Sequence, residues 1–228
     1  MKILTFDTSL DKTYVTLSRD GEILSSEIIE NHNEKYHSAF LMPTIVSVLK
    51  ENKITMLDID VVGTNVGPGS FTGIRACVTV ARVFAQQLEL PLVGVSSMEI
   101  LSYMNNSSKD AIVVMDARKN QFYTAVYDKD GNEIQKPSLV DKSIMLKMDF
   151  YNSFIISDLS THNVLEQFGY ESVIFSNEKP ELGLFLNKIV YKKVKKSQTL
   201  KDEFYWAKLK PLYLQAPPIS LSAKANVN

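Results

Sequence analysis

One pattern occurs twice along this chain of 228 residues: a strand that ends at an aspartate and leads into a hairpin. The first copy has its aspartate at Asp7 and its turn at Asp20-Gly21, and the second copy has them at Asp116 and Asp130-Gly131. Asp-Gly between two alternating segments is a strong signal of a hairpin turn. Two such units, about 109 residues apart, predict a duplicated fold with a cleft between its halves.

The elements predicted in the first half have the order βββαβαβ, which is typical of a ribonuclease-H-like α/β unit. The predicted strands are residues 2–6, 13–18, 22–28, 60–65 and 92–95, and the predicted helices are residues 38–50 and 72–88. In the first helix, the spacing i, i+3, i+4, i+7 predicts a buried face. Its residues are Met42, Ile45, Val46 and Leu49.

The polar stretch at residues 105–109 is the expected link between the two halves. We therefore expect an N-terminal ribonuclease-H-like lobe at residues 1–104, completed by about residues 205–220. A second, degenerate lobe is expected at residues 105–204, and the polar end of the chain at residues 221–228 is expected to be a flexible tail.

A glycine-rich turn at residues 67–73 joins a predicted strand to a predicted helix. Its glycines let the backbone turn sharply and approach another group closely, and a helix N-terminus after a strand suits an anion. A Walker A loop is excluded, because Ile74 stands where that motif needs a lysine. The dinucleotide fingerprint GxGxxG is matched poorly, since the spacing here is GxGxxxG. A tight turn packed on a neighbouring element is the other interpretation.

The helix after this turn is apolar over most of its surface. Its polar residues form one narrow strip, made of Arg75, Thr79, Arg82 and Gln86. A surface helix normally has a single apolar stripe. We therefore expect this helix to be covered on two sides, by its own sheet and by either the first helix or another protein.

Composition and charge exclude several classes of protein. The single cysteine, Cys77, rules out an internal disulfide framework. No uncharged apolar run approaches the roughly 18 residues of a membrane span, and the N-terminus lacks the pattern of a signal peptide. A net charge of −1 argues against a protein that binds nucleic acid with its whole surface. These features predict a cytoplasmic location.

Several segments resemble the signature of the TsaB (YeaZ) family. They are residues 66–75 (VGPGSFTGIR), 6–9 (FDTS), 37–38 with 41–43, 90–97, 115–118 with Tyr123, and 210–217. The resemblance is dense over residues 1–127, sparse over 128–205, and present again at 211–218. Gln215 departs from the arginine expected at that position.

The resemblance implies an ASKHA fold, an actin-like or ribonuclease-H-like α/β duplication of two lobes, each with a mixed sheet flanked by helices. It also implies a non-catalytic scaffold in the complex that forms N6-threonylcarbamoyladenosine at position 37 of tRNA. Such a chain binds and activates TsaD, the paralogue with the metal and the catalytic centre, and acts with TsaE, which binds nucleotide. No cofactor of its own is expected, tRNA is reached only through the complex, and a homodimer is a further expectation.

The resemblance also assigns site residues. In the family, the first helix and the helix after the glycine turn form the partner or dimer interface. The residues assigned to it here are His37, Leu41, Met42, Gly69, Phe71, Thr72, Ile74, Arg75, Val78, Ala81 and Arg82. Asp7, Thr8 and Ser9 occupy the position of the first phosphate loop, which is predicted to be degenerate.

The residues themselves argue against chemistry in this chain. The three histidines, His32, His37 and His162, include no pair at i, i+4, which a metal centre of the TsaD type needs. The glycine-rich adenosine turn of ASKHA proteins is also missing from the second half. A small ASKHA kinase or phosphohydrolase that uses Asp7 and Asp116 is the alternative, and a metallopeptidase is a weaker one.

Positive charge is concentrated near the C-terminus, where residues 181–228 carry nine lysines and three acidic residues. Four of these lysines lie at the end of a helix predicted at residues 182–194; they are Lys192, Lys193, Lys195 and Lys196. A solvated helix end explains them. A patch that contacts tRNA phosphates explains them too, because clustered lysines bind nucleic acid without sequence preference.

Overall fold

Two mixed β-sheets of five strands each carry the fold in the computed structural model, which describes residues 1–10, 12–30, 38–176 and 182–215. The first half of the chain contains β1 (Lys2–Asp7), β2 (Thr13–Arg19), β3 (Glu22–Ile29), α1 (Ser38–Glu51), β4 (Val61–Asn65), α2 (Phe71–Leu88), β5 (Leu92–Val95) and α3 (Ser97–Ser102). The second half contains β6 (Asp110–Asp116), β7 (Gln121–Tyr127), β8 (Glu133–Asp141), α4 (Lys142–Met145), β9 (Ser153–Ser157), α5 (Leu159–Glu166), β10 (Val173–Ile174), α6 (Leu182–Lys196) and α7 (Leu200–Glu203). Short 3-10 turns lie at Met56–Asp58 and Trp206–Lys208.

The two sheets have the same topology. Their strand orders are β3-β2-β1-β4-β5 and β8-β7-β6-β9-β10. β1 pairs antiparallel with β2 and parallel with β4, and β6 pairs in the same way with β7 and β9. The predicted fold, an ASKHA-type α/β duplication of two lobes, is confirmed.

The hairpin turns that indicated the duplication are present in both halves. Asp20 and Gly21 have φ angles of 53° and 92°, as the two central residues of a type I′ turn require. In the second half, the backbone N–H of Gly131 donates to the carbonyl oxygen of Asp128 at 2.9 Å, and the φ of Gly131 is 79°. The first turn therefore has the backbone that the Asp-Gly pair predicts, whereas the second is a longer loop in which Gly131 has a positive φ and Asp130 does not.

The third helix of each half packs on the sheet of the other half. α3 contacts β6 and β7, whereas α6 lies against β1, β2 and β4. One buried cluster therefore contains side chains from both sheets, such as Ile3 and Val113, together with Leu186 and Val190 of α6. The predicted boundary near residue 104 separates the two sheets but not these helices, and it stays a prediction.

The face that α1 buries agrees with the predicted one at Ile45 and Leu49 but not at Met42 and Val46. The side chains of α1 that enter the core are Leu41, Ile45, Val48 and Leu49. Met42 and Val46 were predicted to be buried, but they are 42% and 57% exposed. Apolar residues at 41, 42, 45, 46, 48 and 49 allow two overlapping helical faces. Only contact with the sheet decides which of them is buried.

The helix α2 is covered from within by the sheet and by α1. Cys77, Ala81 and Ala85 of α2 share one buried cluster with Ile45 of α1 and Val62 of β4. The intramolecular interpretation of this helix is therefore right for its buried side. None of the helices in the described residues is long and apolar enough to span a membrane.

Candidate functional site

The glycine turn packs directly on the loop that follows β1. The backbone N–H of Ser70 donates to the carbonyl oxygen of Ser9 at 2.8 Å, and the hydroxyl of Thr8 donates to the carbonyl oxygen of Gly73 at 2.8 Å. A Cβ added to Gly69 or Gly73 would overlap one of these two loop carbonyls. The turn therefore needs glycine for close packing within the chain.

The carboxylate of Asp7 holds this loop from beneath. Asp7 is buried, and its Oδ1 accepts hydrogen bonds from the backbone N–H of Ser9 at 2.7 Å and from the Ser9 hydroxyl at 2.5 Å. Its Oδ2 accepts from the side-chain amide of Asn65 at 2.9 Å. Asn65 in turn accepts from the N–H of Gly67 at 2.8 Å. Asp7 thus ties the end of β1 to the end of β4 and to the glycine turn.

Cys77 lies beside this network, and its thiol is expected to be unreactive. Burial, and to a lesser degree the nearby charge of Asp7, raises the pKa of the Cys77 thiol to about 11. The thiol donates to the carbonyl oxygen of Gly73 at 3.0 Å. A neutral, buried thiol of this kind is a packing residue, because the thiolate is the reactive form.

A cleft of about 950 Å³ separates the two lobes above the glycine turn. One wall consists of the turn and the start of α2, and the other consists of the β6–β7 turn and the start of α5. Its polar and charged lining residues include Ser9, Ser70, Thr72, Asp116, Arg118, Lys119, Asp158, Ser160 and Gln215. Asp7 and Thr8 are not among the described residues that line it.

Asp116 faces this cleft with a partner that sequence reasoning missed. Its Oδ1 accepts from the backbone N–H of Arg118 at 2.7 Å, and its Oδ2 accepts from the Ser160 hydroxyl at 3.3 Å. The same hydroxyl donates to Asp158 at 2.7 Å. Among the described residues, Asp7 and Asp116 are held by separate hydrogen-bond networks. Asp158 follows β9 and caps the start of α5. The sequence gives no indication that this residue lies beside Asp116.

The loop from Asp7 to Ser9, which the resemblance places at the first phosphate loop, is not arranged to bind a phosphate. A phosphate loop must offer free backbone N–H groups to the phosphates. Here the loop from Asp7 to Ser9 is buried, and the glycine turn covers its carbonyl groups. No group of three or more histidine, cysteine, aspartate or glutamate side chains suited to a metal ion occurs in the described part of the chain.

Residues 211–215 cross the mouth of the cleft. The N–H of Leu212 donates to the carbonyl oxygen of Val66 at 2.8 Å in the first lobe. The Gln215 side chain donates to the carbonyl oxygen of Ala117 at 2.8 Å in the second lobe. Gln215, which replaces the expected arginine, therefore still makes a defined contact between the lobes.

The structure divides the predicted interface residues into two groups. Leu41, Ile74, Val78 and Ala81 are buried in the chain's own core, and Gly69 packs on Ser9. The side chains of Leu41, Ile74, Val78 and Ala81 therefore lie inside the chain in this conformation, whereas Gly69 is exposed at the cleft. The assignment of these residues to an interface stays a prediction. Met42, Phe71, Thr72 and Arg75 are exposed, and Arg82 is half-buried. His37 lies outside the described residues, as does the predicted tail at 221–228.

The exposed group continues into two apolar residues that were not predicted. Val46 of α1 and Val83 of α2 are each at least half exposed. Val83 follows Arg75 and Thr79 at intervals of four residues, so this spacing could have identified it. Because α1 and α2 pack on the same face of the first sheet, their outward sides form one surface, which we call the α1–α2 face.

The lysines of the predicted cluster have different surroundings in the structure. Lys192 donates to the carbonyl oxygen of Asp130 at 3.1 Å, and the ammonium of Lys195 lies 5.5 Å from the ring centre of Tyr191. Lys193 donates to Glu99 at 2.8 Å. Only Lys193 and Lys196 line a common groove, which is described below.

Comparison with known proteins identifies the family of this chain. The family model described as TsaD, tRNA N6-adenosine threonylcarbamoyltransferase, matches residues 22–203, which is most of the chain. The structure of YeaZ from Pseudomonas aeruginosa superimposes with a TM-score of 0.72 at 21% identity and covers 93% of this chain and 99% of that one. This likeness shows a shared fold.

Two curated relatives share the name tRNA threonylcarbamoyladenosine biosynthesis protein TsaB. The protein from Bacillus subtilis (strain 168) is 32% identical over 148 residues, which cover 64% of this chain and 63% of the relative. The protein from Escherichia coli (strain K12) is 30% identical over 140 residues, which cover 59% and 58%. The chain thus spans less than two thirds of either relative. The chain belongs to the family of the TsaD model, and within it to the TsaB (YeaZ) proteins.

Proposed function

We propose that this chain is a non-catalytic scaffold of the complex that forms N6-threonylcarbamoyladenosine at position 37 of tRNA. Its relatives are named as proteins of threonylcarbamoyladenosine biosynthesis, and its family model is named for the transferase TsaD. In this proposal the chain binds and activates a TsaD subunit and acts with TsaE. ATP and metal belong to those subunits, and tRNA is engaged through the complex.

The observation that carries the proposal is the α1–α2 face. Its large exposed apolar side chains are Met42, Val46 and Val83, whereas Phe71 packs against Tyr213 and Arg75 at the interlobe cleft. Grouped exposed apolar residues are uncommon on monomeric proteins and mark interaction sites. A two-helix face of this kind packs well against a second pair of helices, as in a four-helix bundle. A paralogue or a second copy of this chain would present such a pair.

The hydrogen bonds beside and across the cleft support a role without catalysis. Asp7 has hydrogen-bond donors from Ser9 and Asn65 on both carboxylate oxygens. Residues 211–215 bridge the lobes, which opposes the opening and closing that ASKHA enzymes use. The alternative, a kinase or phosphohydrolase that uses Asp7 and Asp116, needs a phosphate loop that is free to bind.

The proposal is tested by placing charge on the α1–α2 face. We expect the double variant Val46→Asp with Val83→Asp to fold and to lose capture of TsaD, because a buried unpaired charge at an interface is costly. The measurement is size-exclusion chromatography of a mixture with TsaD, with circular dichroism melting alongside. Ile144→Asp is the matched control, since Ile144 is equally exposed on α4 of the other lobe. Unchanged capture by the double variant would contradict the proposal.

A further inference from the structure

A groove of about 580 Å³ lies between the end of α6 and the segment that follows α7. Its lysines are Lys193, Lys196, Lys208 and Lys210, and its only described carboxylate is Glu203. The edge strand β5 contributes Leu92 and Gly94 to the floor. We call this concave surface the lysine groove. It lies outside the interlobe cleft, with which it shares no lining residue.

The four lysines come from two separate segments of the chain. Lys193 and Lys196 belong to the last turn of α6, where cations complement the negative end of the helix dipole. That explanation does not extend to Lys208 and Lys210, which lie beyond α7 and are brought to the groove by folding. A solvated helix end therefore accounts for only half of the positive charge.

Within the part of the chain that the structure describes, two of the lysines have a hydrogen-bond acceptor and two have no carboxylate partner. Lys193 donates to Glu99 at 2.8 Å, and Lys208 donates to the carbonyl oxygen of Asp202 at 2.6 Å. Lys196 and Lys210 are exposed, and within the described ranges neither has a carboxylate at ion-pair distance. Two lysines thus line one groove without a carboxylate partner among the described residues.

An aromatic ring lines the same groove as Lys196 and Lys210. Tyr205 lines the groove and is 48% exposed. Its ring centre lies 5.4 Å from that of Trp206, whose other neighbour is the guanidinium of Arg82 at 5.6 Å. Single-stranded nucleic acids are bound by this combination, in which lysines contact phosphates and an aromatic ring stacks on a base.

We propose that the lysine groove binds a single-stranded segment of RNA, with Lys196 and Lys210 on phosphates and Tyr205 stacked on a base. The identity of that RNA as tRNA rests on the function proposed above. Phosphate contacts fix position and carry no sequence information. The groove therefore positions tRNA and leaves selection of the modified base to other subunits. Lys192 and Lys195 do not line the groove and take no part.

The test is a titration of unmodified tRNA into the chain, alone and assembled with TsaD, by fluorescence anisotropy at several salt concentrations. For Lys196→Glu with Lys210→Glu, we expect at least about tenfold weaker binding at low salt. The slope of log K against log salt should fall by about 1.4, from two single-strand phosphate contacts at about 0.7 each. Tyr205→Ala should weaken binding by about tenfold and leave the salt slope unchanged.

Lys192→Glu with Lys195→Glu is the matched control, because it makes the same change of charge at two lysines of α6 that do not line the groove. Equal losses in the two double variants would overturn the proposal, as would tRNA binding that is independent of Lys196 and Lys210 in both preparations. Displacement of tRNA by tripolyphosphate at matched phosphate concentration would also overturn it, since the groove would then be a small-anion site. Size-exclusion chromatography of each variant with TsaD reports separately on the proposed scaffold function.

Discussion

Asp7 lies where β1, β4 and the glycine turn meet, and its hydrogen bonds indicate a structural role. Its buried carboxylate accepts from Ser9 at one oxygen and from Asn65 at the other. A neutral side-chain amide has only one acceptor oxygen, so it cannot replace both. In an ASKHA enzyme the corresponding residue would instead face the phosphates. The two roles make different predictions for the same substitution.

We expect Asp7→Asn to lower the free energy of unfolding by roughly 1–3 kcal/mol, because one buried donor is left facing another. Urea unfolding monitored by circular dichroism measures this change. Asp116→Asn is the control, since its exposed carboxylate loses only contacts near solvent and should change stability by less than about 1 kcal/mol. Similar values for the two variants would contradict the structural role of Asp7.

At the scale of elements, the strands and helices of the first half lie within a few residues of their predicted bounds. Alternation and Asp-Gly turns determine the hairpin locally, and the glycine turn marks the start of α2. The orientation of α1 could not be predicted, because Met42 and Val46 fit a helical stripe as well as Leu41 and Val48 do. In the same way, nothing in sequence shows that α6 covers the first sheet, since that contact joins distant parts of the chain.

The helix α2 offers a paired test of its buried and outward sides. Val78 is 4% exposed and Val83 is 50% exposed on the same helix. Val78→Asp should give insoluble protein or cost several kcal/mol of stability, because a buried charge would lack a partner. Val83→Asp should keep the melting temperature of the unchanged chain. Val80, which is half-buried beside the core, is the less informative position.

Circular dichroism melting of the two variants decides the outcome. Two unfolded variants would mean that the outward side of α2 is covered within the chain, and the α1–α2 face would not exist. Two folded variants of equal stability would mean that the packing of α2 on the first sheet is wrong.

At the scale of the whole molecule, the duplicated fold and the family could be predicted, but the surfaces that carry function could be predicted only in part. The repeated strand–aspartate–hairpin unit indicated two lobes, and the structure has them. The predicted interface mixed buried residues such as Val78 with exposed ones such as Met42. The predicted lysine cluster does not include Lys208 and Lys210, which folding brings beside Lys193 and Lys196. In both cases, sequence proximity does not determine which side chains share a surface.

The most direct test of the scaffold proposal is reconstitution of tRNA modification from purified components. The chain alone, supplied with ATP and tRNA, should neither hydrolyse ATP nor form N6-threonylcarbamoyladenosine. With TsaD, TsaE and threonylcarbamoyl-adenylate present, modification should appear only when the chain is added. Modification that proceeds equally well without the chain would contradict the account, and so would ATP hydrolysis by the chain alone that is lost with Asp116→Asn.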